Sequence, residues 1–123
     1  MRATDLLEQA YATERLSDIF PAKTQFYQVL LDGSGNDVAA HMLRSIHIRV
    51  SLLRMTSLSQ PERSKASMSE IRALVDAIRA RNADEAWRLC LEHVNNAAKV
   101  ALQIIGRSTI SNAKPREATT RRT

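Results

Sequence analysis

The chain offers very few places at which a helix has to stop. Across 123 residues there are three Gly and three Pro, at Gly33, Gly35, Gly106, Pro21, Pro61 and Pro115. A sheet protein of this size needs tight turns every few residues and stretches in which apolar and polar residues alternate. Neither pattern is present. The apolar residues recur instead at spacings of three and four, the period of an amphipathic helix. The fold class read from this is all-α, an antiparallel bundle of about five helices. The length gives one domain with a single apolar core.

The helices follow from this punctuation. The first is expected over about Thr4 to Leu16, with Leu6, Leu7 and Ala10 as core contacts. The second runs from Ser17 or Asp18 to Leu31, with Asp18 able to cap it and Pro21 in its first turn. It stops at Asp32-Gly33-Ser34-Gly35-Asn36, where two glycines supply positive φ and Asn36 caps the next helix. The third is expected as one long helix, Asp37 to Ser57. Ala39, Leu43, Ile46, Val50 and Leu53 form one stripe on it, and Ile48, Leu52 and Met55 a second. Such a helix packs between layers or at a subunit contact. Ser59-Gln60-Pro61-Glu62 opens the fourth, whose buried face is Ile71, Leu74, Val75 and Ile78. Asn82 suits a left-handed cap or the next N-cap. The fifth spans Ala83 to Ile105 and Gly106 ends it, with Ala86, Trp87, Cys90, Val94, Ala97, Ala98, Ala101 and Ile105 inward.

Charge divides the chain in two. From Arg107 onward five basic residues meet one acid, Glu117, so most of the formal net charge of +5 sits at the end. Residues 1–106 are read as the helical domain and 107–123 as a basic disordered tail. The body lacks the clustered Lys and Arg of a DNA-binding face, although the tail leaves non-specific nucleic-acid binding open. One cysteine, Cys90, excludes a disulfide scaffold and favours a reducing, cytoplasmic setting. No apolar run is long enough to span a membrane.

Little of the catalytic repertoire is present. Gly33-Ser34-Gly35 follows no strand and lacks the third glycine of a dinucleotide loop. Cys90 lies on the Trp87/Val94 face and reads as a packing residue. His41, His47 and His93 are the whole histidine set, and none is paired at zinc-binding spacing. No carboxylate pair, Ser-His-Asp set or phosphate loop can be assembled, so the chain is not read as an enzyme. Arg49 falls at the edge of an apolar stripe. Its guanidinium needs an anion, either an acid on another helix or a bound carboxylate.

Two segments carry a resemblance. Phe26-Tyr27-Gln28-Val29-Leu30-Leu31-Asp32-Gly33-Ser34-Gly35-Asn36 and Glu70-Ile71-Arg72-Ala73-Leu74-Val75-Asp76-Ala77-Ile78-Arg79-Ala80-Arg81-Asn82-Ala83-Asp84-Glu85-Ala86 are similar, in order and separation, to signatures of the FCD domain. This is the helical effector-binding domain of GntR-family bacterial transcription regulators. The likeness covers roughly Asp5 to Ile105. It implies a domain that dimerises and binds a small organic acid, with DNA read by a winged helix-turn-helix that this chain does not contain. Many members hold a divalent metal with one Asp and three His. Those positions here are Lys23, Tyr27, Ile71 and His93. An ammonium, a phenol and an alkyl group do not make a hard divalent site around one imidazole, so neither metal nor other cofactor is expected.

The same replacements admit a direct carboxylate site. Lys23 and Arg49 would serve as charge partners, with Tyr27 and His93 as hydrogen-bonding groups. The plainer possibility is a decayed pocket in which Lys23 reaches solvent and Tyr27 merely packs. The implied function is a ligand-sensing and dimerisation domain that binds a small carboxylate without metal and does not bind operator DNA by itself. The alternative is a structural helical module that binds another protein through Ile48, Leu52 and Met55.

Overall fold

The computed structural model describes residues 2–112, the side chain of Ile48 excepted. Among the described residues there are six helices and no strand: α1 (Arg2–Ala12), α2 (Leu16–Gly33), α3 (Asp37–Ser45), α4 (His47–Leu58), α5 (Pro61–Arg79) and α6 (Ala83–Asn112). The all-helical reading holds.

The turns use the residues that punctuate the sequence, with two shifts of position. Gly35 takes the left-handed conformation, φ 67°, between α2 and α3. Gly33 stays inside α2, so one glycine supplies the positive φ, not two. Asn36 caps α3, its side chain accepting from the Ala39 N–H at 3.0 Å. Before α6 the left-handed residue is Arg81, while Asn82 accepts from the Glu85 N–H at 3.2 Å. At α2, Asp18 makes no cap. It pairs with the Arg15 Nε at 2.7 Å. Pro61 begins α5, where its missing N–H costs nothing.

The long third helix expected from the sequence is two helices. The break is at Ile46, φ −99° and ψ 1°. Just before it, the Ser45 hydroxyl donates to the Met42 carbonyl at 2.6 Å, a local bond that competes with the helical ladder. Arg44 is tied to Asp32 at the end of α2 at 2.7 Å. The two halves then serve different neighbours: α3 packs on α2, whereas α4 packs on α5 and α6 as well as α2.

The core is built by α1, α2, α4 and α5. Leu7, Ala10, Tyr11, Ile19, Phe26, Leu58, Met68 and Ile71 form one buried cluster. Helix α6 covers α4 and α5. Its inward residues are Ala86, Cys90, His93, Ala97, Ala101 and Ile104. The expected inward set mixed this stripe with its neighbour. Trp87 (69% exposed), Val94 and Ile105 each lie one residue, or 100°, off it and face solvent. Leu6, Leu43, Ile46, Leu53 and Ile78, also expected inside, are exposed too. Gly106 does not end α6, which continues to Asn112. The rest of the expected tail, residues 113–123, lies outside the described residues, as does the Ile48 side chain.

Ile71 sits at the centre of this cluster. Ile71→Ala should lower the unfolding free energy by about 2–5 kcal/mol through lost burial and a cavity. Val29→Ala, on the exposed side of α2, should change it by less than about 1 kcal/mol. Urea titration of both variants checks the contrast.

Candidate functional site

Helices α2, α4, α5 and α6 enclose a cavity of about 210 Å³. Its wall brings together three of the four residues singled out from the sequence, Lys23, Tyr27 and His93. Lys23 and Tyr27 are one turn apart on α2, so both side chains leave the same face. His93 comes from the inward stripe of α6. The fourth, Arg49, is exposed on α4 and does not line the cavity. Arg54 takes the place expected for it, five residues further along and across the break at Ile46. Sequence reasoning also missed Ser57, Arg63, Ser67 and Glu70. The signal was there on α5, where Arg63, Ser67, Glu70 and Leu74 recur at four, three and four on one face.

The polar groups are organised from Glu70 outward. Its carboxylate accepts two bonds from the Arg63 guanidinium, at 2.7 and 2.8 Å, and one from His93 Nδ1 at 3.1 Å. A carboxylate only accepts, so Nδ1 carries the ring hydrogen. Burial, with the positive charge of Lys23, pushes the imidazole down to about 4. The ring is therefore neutral near pH 7, and its Nε2 offers a lone pair. The Tyr27 phenol donates to that atom at 3.2 Å. Burial raises the Tyr27 pKa, which keeps the phenol protonated. Arg54 lies over the Tyr27 ring, 4.0 Å from its centroid, a cation–π contact. Burial also pushes the Glu70 carboxyl up, but its bonds to Arg63 and His93 outweigh this and hold it below the usual range.

Lys23 is the anomaly. It is 4% exposed, and its Nζ donates to the Ser67 hydroxyl at 3.2 Å and the Tyr11 hydroxyl at 3.4 Å. Among the described residues no carboxylate pairs with it. Burial, with the charges of Arg54 and Arg63, pushes it down to about 7, against a smaller opposing pull from Glu70. Two further buried polar atoms have no hydrogen-bond partner among the described residues, Ser57 Oγ and Arg63 Nε. Their residues are 1% and 7% exposed. Orphaned groups of this kind are rare in a packed interior and costly. Here both belong to residues that border one empty space, beside more positive than negative charge.

The arrangement does not fit a divalent ion. Both nitrogens of His93 are engaged, Ile71 is core, and Lys23 and Tyr27 present an amine and a protonated phenol. Among the described residues, no three His, Cys, Asp or Glu side chains are grouped so as to hold one. No described helix is long and apolar enough to cross a membrane.

A family model, described as the FCD domain, matches residues 2–96. No curated protein and no solved structure matches the chain.

The pKa of Lys23 has a consequence for stability. Below pH 7 the amine is charged in folded and unfolded chains alike. Between pH 7 and its unfolded value of 10.5 only the unfolded chain binds the proton, so stability rises with pH across that window. Relative to Lys23→Met, the wild type should gain on the order of a few kcal/mol between pH 7 and pH 10. Guanidinium unfolding of both proteins at several pH values measures this, and a flat difference would contradict the lowered pKa.

Proposed function

Because the chain belongs to the FCD domain family, we propose that it is a ligand-sensing domain that takes a small organic acid in the cavity between α2, α4, α5 and α6, without a metal. The observation that carries this reading is Lys23, a cation buried beside Arg54 and Arg63 with no acid paired to it among the described residues. A buried charge is stable when it is paired. A bound carboxylate supplies the missing pair, and Ser57 Oγ and Arg63 Nε are unspent donors for its oxygens. Tyr27 and His93 complete the wall. Arg49, exposed and outside the cavity, has no part in this site.

Dimerisation belongs to the same reading. On α6, Trp87, Leu91, Val94, Ala98, Leu102 and Ile105 recur at four, three, four, four and three, and all are exposed. A stripe of this kind is the face a second helix covers. The exposure of Leu52 and Met55 on α4 is what favours the other reading, a structural module that binds a different protein.

Thermal melts with a panel of small mono- and dicarboxylic acids, each beside its uncharged amide, separate the two. A sensor gains about 2.7 kcal/mol when ligand stands 100-fold above its dissociation constant. At least one acid should raise the melting temperature while its amide does not. Ser57→Ala should melt at or above the wild-type temperature yet lose affinity severalfold, because it removes an orphan donor that only a ligand satisfies. Were no acid to shift the melt, the sensing reading would fail and the structural one would stand.

A further inference from the structure

On the reading that this cavity takes a small carboxylate, we infer that the ligand is a 2-oxo acid and that Lys23 Nζ holds it as a reversible imine, with Arg63 Nε and Ser57 Oγ receiving the carboxylate. The geometry gives the amine two acceptors and no more, the hydroxyls of Ser67 and Tyr11. An ammonium has three N–H bonds to place and no acid here to place the third on. A neutral amine has two, which match the two hydroxyls and leave the lone pair free when both hydroxyls accept. A lone pair on a primary amine, shielded from water and bordering a cavity, is a nucleophile for a carbonyl carbon. The lowered pKa of Lys23 keeps much of that amine unprotonated at neutral pH.

Beside Lys23, the wall also contains residues with unspent donors for a carboxylate. Arg63 spends both terminal nitrogens on Glu70 and keeps Nε free. Ser57 Oγ has no partner either. The cavity, about 210 Å³, is several times the roughly 30 Å³ that one water occupies in the liquid. That is room for an acid of a handful of heavy atoms. Arg54, stacked on Tyr27, adds a second positive charge on the α4 side.

The step balances without any co-reactant. The nitrogen lone pair attacks the carbonyl carbon and the C=O π pair moves to oxygen. One amine hydrogen passes to that oxygen, giving a carbinolamine. The oxygen then leaves as water with the second amine hydrogen, while the nitrogen closes the C=N bond. Nothing is oxidised or reduced, and water reverses the sequence, as a sensor requires. The negative charge brought in by the carboxylate offsets the guanidinium surplus.

Trapping tests this on the full chain with pyruvate as probe and lactate, which has the same skeleton without the carbonyl, as control. With sodium cyanoborohydride near pH 7.5, pyruvate should leave a stable adduct, one pyruvate less water plus two hydrogens, mapped by peptide mass spectrometry to Lys23. Its initial rate should exceed that at Lys65 or Lys99 by more than about tenfold, since Lys23 alone of the three borders the cavity. Lys23→Met should lose the adduct, and the wild-type peptide map decides the same question if that variant does not fold. If pyruvate and lactate both raise the melting temperature but no adduct forms at Lys23, the imine is refuted while the anion site stands. If neither acid shifts the melt and no adduct forms, both fail. Equal labelling of the three lysines would likewise overturn the assignment.

Discussion

Glu70 shares one carboxylate among three polar side chains from two helices, and the character of the cavity follows from how it is shared. Arg63, His93 and Asn96 all donate to it. The bond from His93 fixes the ring tautomer, the tautomer leaves Nε2 as an acceptor for Tyr27, and the phenol is thereby held as a donor. The two bonds from Arg63 make a bidentate pair, the strongest form of the ion pair. Together with the bonds from His93 and Asn96 they fill the carboxylate's acceptor sites. Lys23 and Arg54 stand near the same site with no acid left for them. Removing Glu70 would therefore do more than cut a link between α5 and α6. It would leave Arg63 buried and unpaired, the situation that costs about 3–5 kcal/mol in measured cases.

Ile71 belongs to the core and not to the cavity wall. Its side chain joins Tyr11, Phe26 and Met68 in the core. The cation on the α2 side of the cavity is carried by a tethered amine, Lys23. Tethering changes what the charge can do. A metal keeps its charge at any ordinary pH, whereas an amine under a desolvation penalty can shed a proton and become a lone pair. Positive surroundings push it the same way, because Arg54 and Arg63 disfavour a third charge beside them.

The fold was legible at four ends where a single residue type carries the signal, though not at Gly106 or Asp18. Gly35, Asn36, Pro61 and Asn82 mark ends that the structure keeps within a residue or two, because backbone conformation and capping are local matters. The break at Ile46 was not legible. It rests on a Ser45 side-chain bond and on the separate partners of α3 and α4, neither of which leaves a Gly or Pro behind. On α4 the cavity face is Val50, Leu53, Arg54 and Ser57, so Arg54 and not Arg49 borders the cavity. On α6 two adjacent stripes are both apolar, so periodicity alone assigned Trp87 and Val94 to the interior. Lys23, Tyr27 and His93 were found through a resemblance, not through their own chemistry. Arg63 lay on a legible face of α5, but the missing partners of its Nε and of Ser57 Oγ could be found only with coordinates.

Helix α6 joins the cavity to the surface in a way that bears on how occupancy could be felt outside. One of its faces carries His93, Asn96 and Ala97 toward Glu70 and the cavity. The adjacent face carries the exposed Trp87, Leu91, Leu102 and Ile105. Val94 belongs to both, since it lines the cavity and is more than half exposed. The two faces are parts of one rigid cylinder about 45 Å long by the usual rise per residue. A ligand that draws on Arg63 and Lys23 changes the balance of charge against which His93 and Asn96 are held. Any resulting shift of α6 must move its outer stripe as well, because close-packed helices slide or rotate as units and do not deform. The coupling needs differential contacts in two states. The hydrogen bonds of His93 and Asn96 to a carboxylate already committed to Arg63 are where such a difference would register.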